Sequence, residues 1–153
     1  MKKVVLFICL LSIVSCVSPQ QRQAELNIQL EEAVRSSDVG KAKDLIEKGA
    51  AINSVRQHRY DFNPLLEAAN NGDVAMVKLL LDKGANIETR YNTGETALYF
   101  SISSNKKNEQ HFIETTKLLI SRGADVNALC GDSTPLIACL LYTSPSPRDA
   151  HES

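Results

Sequence analysis

The sequence predicts an all-α fold, a solenoid in which helix–turn–helix pairs stack on one another and are joined by hairpin-like loops. Three observations predict it. A short leucine-rich phrase recurs at residues 43–53, 78–88 and 117–127. Each copy contains Gly-Ala, and a second phrase, typical of a helix start, recurs in phase with it. Repetition at intervals of 35 and 39 residues indicates stacked units that share one extended core.

The leucine-rich phrase predicts the second helix of each pair and the residue that ends it. Gly49, Gly84 and Gly123 each follow a lysine or an arginine, which is the pattern of a helix that ends in a left-handed glycine. The second copy carries a compact apolar stripe typical of a buried helix, made of Met76, Val77, Leu79, Leu80 and Leu81.

The other phrase predicts the first helix of a pair. It occurs at residues 63–69 and 94–99 and again at 131–138. In its last copy Thr134 precedes Pro135, which places a good N-cap before a proline whose missing N–H is not needed at the first helical position.

These two phrases, recurring in one order, resemble the ankyrin repeat, a unit of roughly 33 residues. The chain departs from that family at the histidine of the helix opening, which is Leu66, Tyr99 or Ile137 here, and at its proline, which is Ala97 in the third unit. We therefore expect leucine packing, rather than that histidine network, to carry stability. The resemblance implies three repeats and the start of a fourth within residues 25–138, at about 25–57, 58–90, 91–129 and 130–138.

The N-terminus predicts export. Lys2 and Lys3 precede an apolar run at residues 4–14, too short for a permanent membrane span, so residues 1–15 are predicted to be a signal peptide. The run ends in Ile-Val-Ser before Cys16, which resembles the lipoprotein processing box of bacteria and implies lipidation of Cys16. Residues 16–24 would then form a polar tether. The alternative is an ordinary signal peptide with an incidental cysteine, which would leave a secreted or periplasmic soluble protein.

The C-terminus departs from the repeat pattern after Ala138. Residues 139–149 resemble a translation of the transposase adapter used in short-read sequencing libraries. Prolines at alternate positions cannot continue a helix. We therefore interpret residues 139–153 as an artefactual tail. The alternative is a natural proline-rich linker or binding motif.

Composition and motifs give no reason to propose an enzyme. The chain has 17 basic and 18 acidic residues and a net charge of −1, so a nucleic-acid footprint is not expected. We expect neither a cofactor nor a small-molecule substrate, because no phosphate-binding loop, zinc spacing or nucleophile elbow occurs. The histidines (His58, His111 and His151) lack metal-ligand spacing, and the aspartates before helical segments (Asp38, Asp73 and Asp132) are better explained as caps.

The resemblance implies a recognition surface made of hairpin tips and inner helices. The predicted tips are residues 55–62, 90–93 and 130–133. Arginine and tyrosine are frequent among the residues that dominate binding energy at interfaces. The candidate partner-binding residues are therefore Arg56, His58, Arg59, Tyr60, Arg90 and Tyr91, and Tyr60, Arg90 and Tyr91 are expected to form one patch. A polar insertion within residues 103–111 is expected to be neutral.

These observations predict a non-catalytic protein–protein interaction module that a lipid on Cys16 holds on a bacterial envelope membrane, on the outer membrane or at its periplasmic face. Two alternatives remain open at this point. The array is a regulatory or inhibitory, immunity-like domain of a longer, truncated protein, or it is a spacer without a specific partner.

Overall fold

The computed structural model describes residues 18–54, 63–103, 109–130 and 134–135. Cys16, Arg56, His58, Arg59 and Tyr60 lie outside these ranges, as does the predicted tail. The regular elements within them are six helices: α1 (Pro19–Arg35), α2 (Val39–Glu47), α3 (Pro64–Asn71), α4 (Val74–Asp82), α5 (Ala97–Ser103) and α6 (Glu109–Ser121).

The helices form two layers. Consecutive helices pack as pairs, α1 with α2, α3 with α4 and α5 with α6. In the first layer α3 lies between α1 and α5, and in the second layer α4 lies between α2 and α6. This is the predicted all-α solenoid of stacked helix pairs. None of the helices in the described ranges is long and apolar enough to cross a membrane.

Leucines at equivalent positions build the core. Leu30, Leu65 and Leu98 of the first layer are each 1% exposed, and Leu45, Leu80 and Leu119 of the second layer are each at most 4% exposed. Burying one such side chain stabilises the fold by about 1.5–3 kcal/mol. The small residues beside them at the helix contacts are also buried (Ala33, Ala68, Ala69 and Ser101).

Each second-layer helix ends as predicted. Gly49, Gly84 and Gly123 have φ values of 97°, 91° and 90°. Each glycine N–H donates to the carbonyl three residues earlier, and the N–H of the following alanine donates to the carbonyl five residues earlier. This pair of bonds closes the last turn, and the left-handed backbone it requires favours glycine.

In the first two repeats, the turn between the two helices of a pair also contains a residue with the left-handed backbone conformation. Gly72 has φ 68° and Ser37, its counterpart in the first repeat, has φ 57°. The next residue in each case is an aspartate whose Oδ1 caps the following helix: Asp38 accepts from the N–H of Lys41 and Asp73 from that of Met76, both at 2.9 Å. The prediction that these aspartates are caps is confirmed.

The first helix begins earlier than residue 25. Ser18 caps α1 by accepting from the N–H of Gln21, whose side chain accepts from the N–H of Ser18. Residues 19–24, which the sequence assigned to a polar tether, are therefore the first turns of a helix. A side chain in these turns is also tied to the array, because Gln23 Nε2 donates to the carbonyl of Gly49 at 2.8 Å.

The third repeat contains a longer second-layer helix. Ile113 stands seven residues before Ile120, as Val39 stands before Ile46, yet α6 begins at Glu109 whereas α2 begins at Val39. Residues 109–112, which include the end of the predicted insertion at residues 103–111, therefore form an additional helical turn. Phe112 in that turn is 8% exposed and packs against Gly72 of the second repeat.

Ion pairs at equivalent positions join consecutive repeats along the second layer. Lys83 Nζ lies 3.1 Å from Glu47 Oε1, and Arg122 Nη2 lies 2.7 Å from Asp82 Oδ1. In both, the basic residue before a Gly-Ala pair reaches the acidic residue at the end of the preceding second-layer helix. Ser121 occupies the acidic position in the third repeat, so the described part of the row ends there.

Candidate interaction surface

A short hairpin connects the second repeat to α5. Arg90 and Thr96 form an isolated antiparallel bridge. Within it the N–H of Tyr91 donates to the carbonyl of Glu95 at 2.8 Å, and Gly94, with φ 96°, closes the turn by donating to the carbonyl of Tyr91 at 2.9 Å. At the tip, the Thr93 hydroxyl donates to the Glu95 carboxylate. This hairpin contains the predicted tip at residues 90–93.

Arg90 lies on the outside of this hairpin, but its guanidinium is fixed by two hydrogen bonds. Its Nη1 donates to the carbonyl of Leu129 at 2.6 Å and to that of Gly94 at 3.3 Å. The guanidinium therefore joins the hairpin to the loop that follows the third repeat. Arg90 was predicted as a partner contact, and the structure also gives it a role in fixing two neighbouring loops.

Tyr91 is only half-exposed because its ring packs against the array. The ring meets Phe100 of α5 edge to face, with centroids 5.9 Å apart and an angle of 84° between the planes. Both rings lie against the hydrophobic core cluster. Two aromatic rings that are fixed by packing and partly open to solvent present a preorganised apolar contact point.

Phe100 completes a row of equivalent positions on the first layer. The N–H of Phe100 donates to the carbonyl of Thr96 as that of Glu67 donates to Asn63, which places both residues in the same turn of their helices. Glu32 precedes the buried Ala33 as Glu67 precedes the buried Ala68. The row therefore reads Glu32, Glu67 and Phe100, two carboxylates followed by an aromatic ring.

This row was not predicted. The predicted surface consists of hairpin tips chosen by residue type, and equivalent positions within the first helices are not part of it. Phe100 stands four residues after Thr96 and Glu67 four residues after Asn63, and aligning the helix starts would have identified the row without a structure.

The other predicted site residues divide into two groups. Arg56, His58, Arg59 and Tyr60 lie outside the described residues, so their grouping with Arg90 and Tyr91 stays a prediction, as does lipidation of Cys16. Arg90 and Tyr91 are adjacent in one hairpin, but their side chains have different partners, a backbone carbonyl and an aromatic ring.

The electrostatic features of the described surface are modest. The Lys83 ammonium donates a hydrogen bond to the Glu47 carboxylate and attracts it, and together these effects lower the pKa of Glu47 below its ordinary value. His111 is exposed, and Cys130 is a buried free thiol whose Sγ lies 3.6 Å from the carbonyl of Ala128. Among the described residues, histidine, cysteine, aspartate and glutamate form no cluster of three suited to a metal ion.

Comparison with protein families identifies the repeats. The family model described as ankyrin repeats in three copies matches residues 30–130. That match begins within α1 and includes α2 to α6 and the hairpin at residues 90–96. No curated protein matches the chain.

Proposed function

The chain belongs to the ankyrin-repeat family, and on that premise we propose that it is a non-catalytic protein–protein interaction module displayed on a bacterial envelope membrane as a lipoprotein. Ankyrin repeats are generally interaction modules, and their stacked helices and hairpins form extended recognition surfaces. For this chain we also assign a binding surface and a membrane anchor.

The observation that carries the binding proposal is the Tyr91 and Phe100 pair beside the acidic row. The two rings are fixed against each other and partly open. Glu67 and Glu32 occupy the positions equivalent to Phe100 on the neighbouring helices, and the Glu32 side chain is 72% exposed. Aromatic side chains are frequent among the few residues that dominate binding energy at interfaces, and here two carboxylates stand on one side of them. A partner would seat an apolar side chain on the rings and direct basic groups toward the carboxylates.

The test for this surface is capture of partners from an envelope extract. Phe100→Ala and the triple alanine variant of Tyr60, Arg90 and Tyr91 are each expected to reduce capture at least about 30-fold, the loss of a hot spot worth about 2 kcal/mol. Lys78→Ala, on the second layer, is the control and retains capture. Circular dichroism of every variant separates lost binding from lost folding. Unchanged capture by folded Phe100→Ala protein rejects the assigned surface.

The anchoring proposal is supported by the order of the N-terminal features. A basic start, an apolar run and the Ile-Val-Ser-Cys box occur in the order that a lipoprotein signal requires. Because α1 is capped by Ser18, two residues after Cys16, a lipid on Cys16 would hold the first repeat close to the membrane surface. A single chain gives only reversible attachment, so the multiple acyl chains of a bacterial lipoprotein suit stable display.

Anchoring is tested by labelling cells with an alkyne fatty acid. The wild-type chain is expected to incorporate the label and to enter the detergent phase, and Cys16→Ser is expected to lose both properties. Cys9→Ser is the matched control, since Cys9 lies inside the apolar run and away from the box. Equal labelling of the Cys16 variant contradicts lipidation, and release of unlabelled wild-type protein supports a secreted or periplasmic soluble form.

A regulatory or inhibitory role within a longer protein is the second candidate, and it is favoured by exposed apolar side chains on the third repeat (Ile113, Ile120, Val126 and Leu129). Long-read sequencing of the native locus through its stop codon distinguishes the two. Further repeats or catalytic motifs in place of residues 139–153 support the longer protein and the artefactual tail. A locus that encodes residues 139–153 followed by a stop codon contradicts both.

A further inference from the structure

Apolar side chains are concentrated on one face of the third repeat. Among the described residues, five large hydrophobic side chains are exposed, and Ile28 on α1 is the one outside this region. The other four define what we term the third-repeat face: Ile113 (40% exposed), Ile120 (47%), Val126 (36%) and Leu129 (66%).

The counterparts of Ile120 and Val126 in the first two repeats are covered, whereas Leu129 corresponds to the exposed Arg90. Ile46 of α2 and Leu81 of α4 stand where Ile120 stands on α6, and both are half-buried against the core. The same holds for Ile52 and Ile87, the counterparts of Val126. They are covered because α4 packs on α2 and α6 packs on α4. The third-repeat face therefore has the surface chemistry of an internal boundary between repeats.

A polar side chain also joins each repeat to the next at this internal boundary. Asn53 Oδ1 accepts the N–H of Asn86 at 2.8 Å, and Glu88 Oε1 accepts the N–H of Asp125 at 2.8 Å. In each bond a residue four positions after a glycine binds the loop of the following repeat. Asn127 stands four positions after Gly123 and so carries the same amide acceptor as Asn53.

Thr134 and Pro135 match the helix start of an earlier repeat. Pro135 is fully buried, as is Pro64, its counterpart at the first position of α3. Thr134 precedes Pro135 as Asn63 precedes Pro64. Pro135 therefore has the burial and the sequence position that Pro64 has at the start of the second repeat.

From these observations we propose that the third-repeat face is the seat for the second-layer helix of a fourth repeat of the same polypeptide. That helix covers Ile113 and Ile120, and the loop after it donates an N–H to Asn127. Because Ser121 replaces the acidic residue found in Glu47 and Asp82, the boundary forms without the ion pair of the other two. The residue before the Gly-Ala of the fourth repeat is consequently not restricted to lysine or arginine.

The proposal is tested by supplying such a repeat. In the graft, residues 65–88 of this chain follow Pro135 in place of residues 136–153, with polar residues at the copies of Leu81 and Ile87. The probe is Ile120→Glu, introduced into both the grafted and the original full chain. Ile28→Glu is the matched control, because Ile28 is exposed to a similar degree (40%, against 47% for Ile120) but lies on the first repeat.

The graft is expected to raise the thermal midpoint by at least about 5 °C. Ile120→Glu is expected to lower the midpoint by about 5–15 °C in the graft and by no more than about 2 °C in the original chain. The shift caused by Ile28→Glu is expected to be the same in both.

Two results overturn the proposal. One is a graft that melts no higher than the original chain, or an Ile120→Glu shift that is equal in both backgrounds. The other is light scattering that shows the original chain to be a dimer which Ile120→Glu converts to monomer, because the occupant would then be a second copy.

Discussion

Asn53 of the first repeat holds the loop of the second repeat through both atoms of its amide. Its Oδ1 accepts the N–H of Asn86 at 2.8 Å and its Nδ2 donates to the carbonyl of Gly84 at 3.2 Å. The first repeat receives the same two bonds from α1, where Asn27 Oδ1 accepts the N–H of Ala51 at 2.9 Å and Gln23 donates to Gly49. A capping helix and an internal repeat thus satisfy the same backbone groups with different residues.

Asn53→Ala is expected to lower the free energy of unfolding by about 1–2 kcal/mol, because it removes two hydrogen bonds to backbone groups at a repeat boundary. Asn53→Asp keeps the acceptor and loses the donor, so its effect is expected to be smaller. Asn127→Ala is the matched control at the equivalent position of the third repeat. Urea titrations followed by circular dichroism measure all three. Equal losses for Asn53→Ala and Asn127→Ala contradict the boundary role of Asn53.

The ion pair between Lys83 and Glu47 predicts a pH-dependent stability difference. The pKa of Glu47 is lower in the folded state than its ordinary value of 4.5. Its stabilising contribution is therefore fully present above that value and lost as the pH falls through the folded pKa. Lys83→Met is expected to lower the thermal midpoint at about pH 7 and to leave it nearly unchanged relative to wild type at about pH 3.

Lys78→Met is the control for that comparison, since Lys78 is exposed on the same helix. It is expected to show no such pH-dependent difference. A Lys83→Met effect that persists undiminished in acid would assign the role of Lys83 to its packing rather than to its charge.

The sequence was sufficient for the features that depend on local periodicity. The glycine ends of the second-layer helices, the aspartate caps and the leucine core follow from residue type at a fixed place in the repeat, and the structure confirms them. The start of α1 was missed because Ser18, Pro19 and Gln21 also suit a polar tether. The serine with a glutamine three residues later is a capping box, and that signal was present in the sequence.

Contacts between repeats were not predictable in the same way. The contact between Phe112 and Gly72 depends on how the insertion extends α6. The hydrogen bond from Arg90 to Leu129 depends on the position of two loops. Such pairs are distant in the chain and arise only once the stack is formed. The same holds for the third-repeat face, since exposure at Ile120 and Val126 is a property of the neighbouring repeat.

Gly72 is expected to resist substitution because of its neighbour. Ser37 occupies the same turn of the first repeat at φ 57°, so this backbone accepts a side chain. A Cβ on Gly72 would lie 3.1 Å from the nearest ring atom of Phe112. Gly72→Ala is therefore expected to lower the free energy of unfolding by about 1–3 kcal/mol. In the Phe112→Leu background the penalty is expected to fall by about 1 kcal/mol.

Gly49→Ala is the control for this double-mutant cycle. A Cβ on Gly49 meets nothing within 4 Å, so its penalty comes from the backbone at φ 97° alone. That penalty is expected to be the same with Phe112 and with Leu at that position. If the Gly72→Ala penalty is likewise unchanged by Phe112→Leu, its cause is the backbone conformation and not contact with the Phe112 ring.

Substitution of Arg90 can distinguish a structural role of its side chain from a role in partner binding. Arg90→Ala removes the hydrogen bonds to the carbonyls of Leu129 and Gly94 and is expected to cost about 1 kcal/mol, a modest value because the side chain is exposed. Arg22→Ala, an exposed arginine on α1, is the control and is expected to change the free energy of unfolding by less than about 0.5 kcal/mol. If Arg90 also contacts a partner, capture by folded Arg90→Ala protein falls well below that of an equally destabilised core variant such as Val77→Ala. Equal capture by these two variants would limit Arg90 to the joining of the two loops, and the binding surface would then rest on Tyr91 and Phe100.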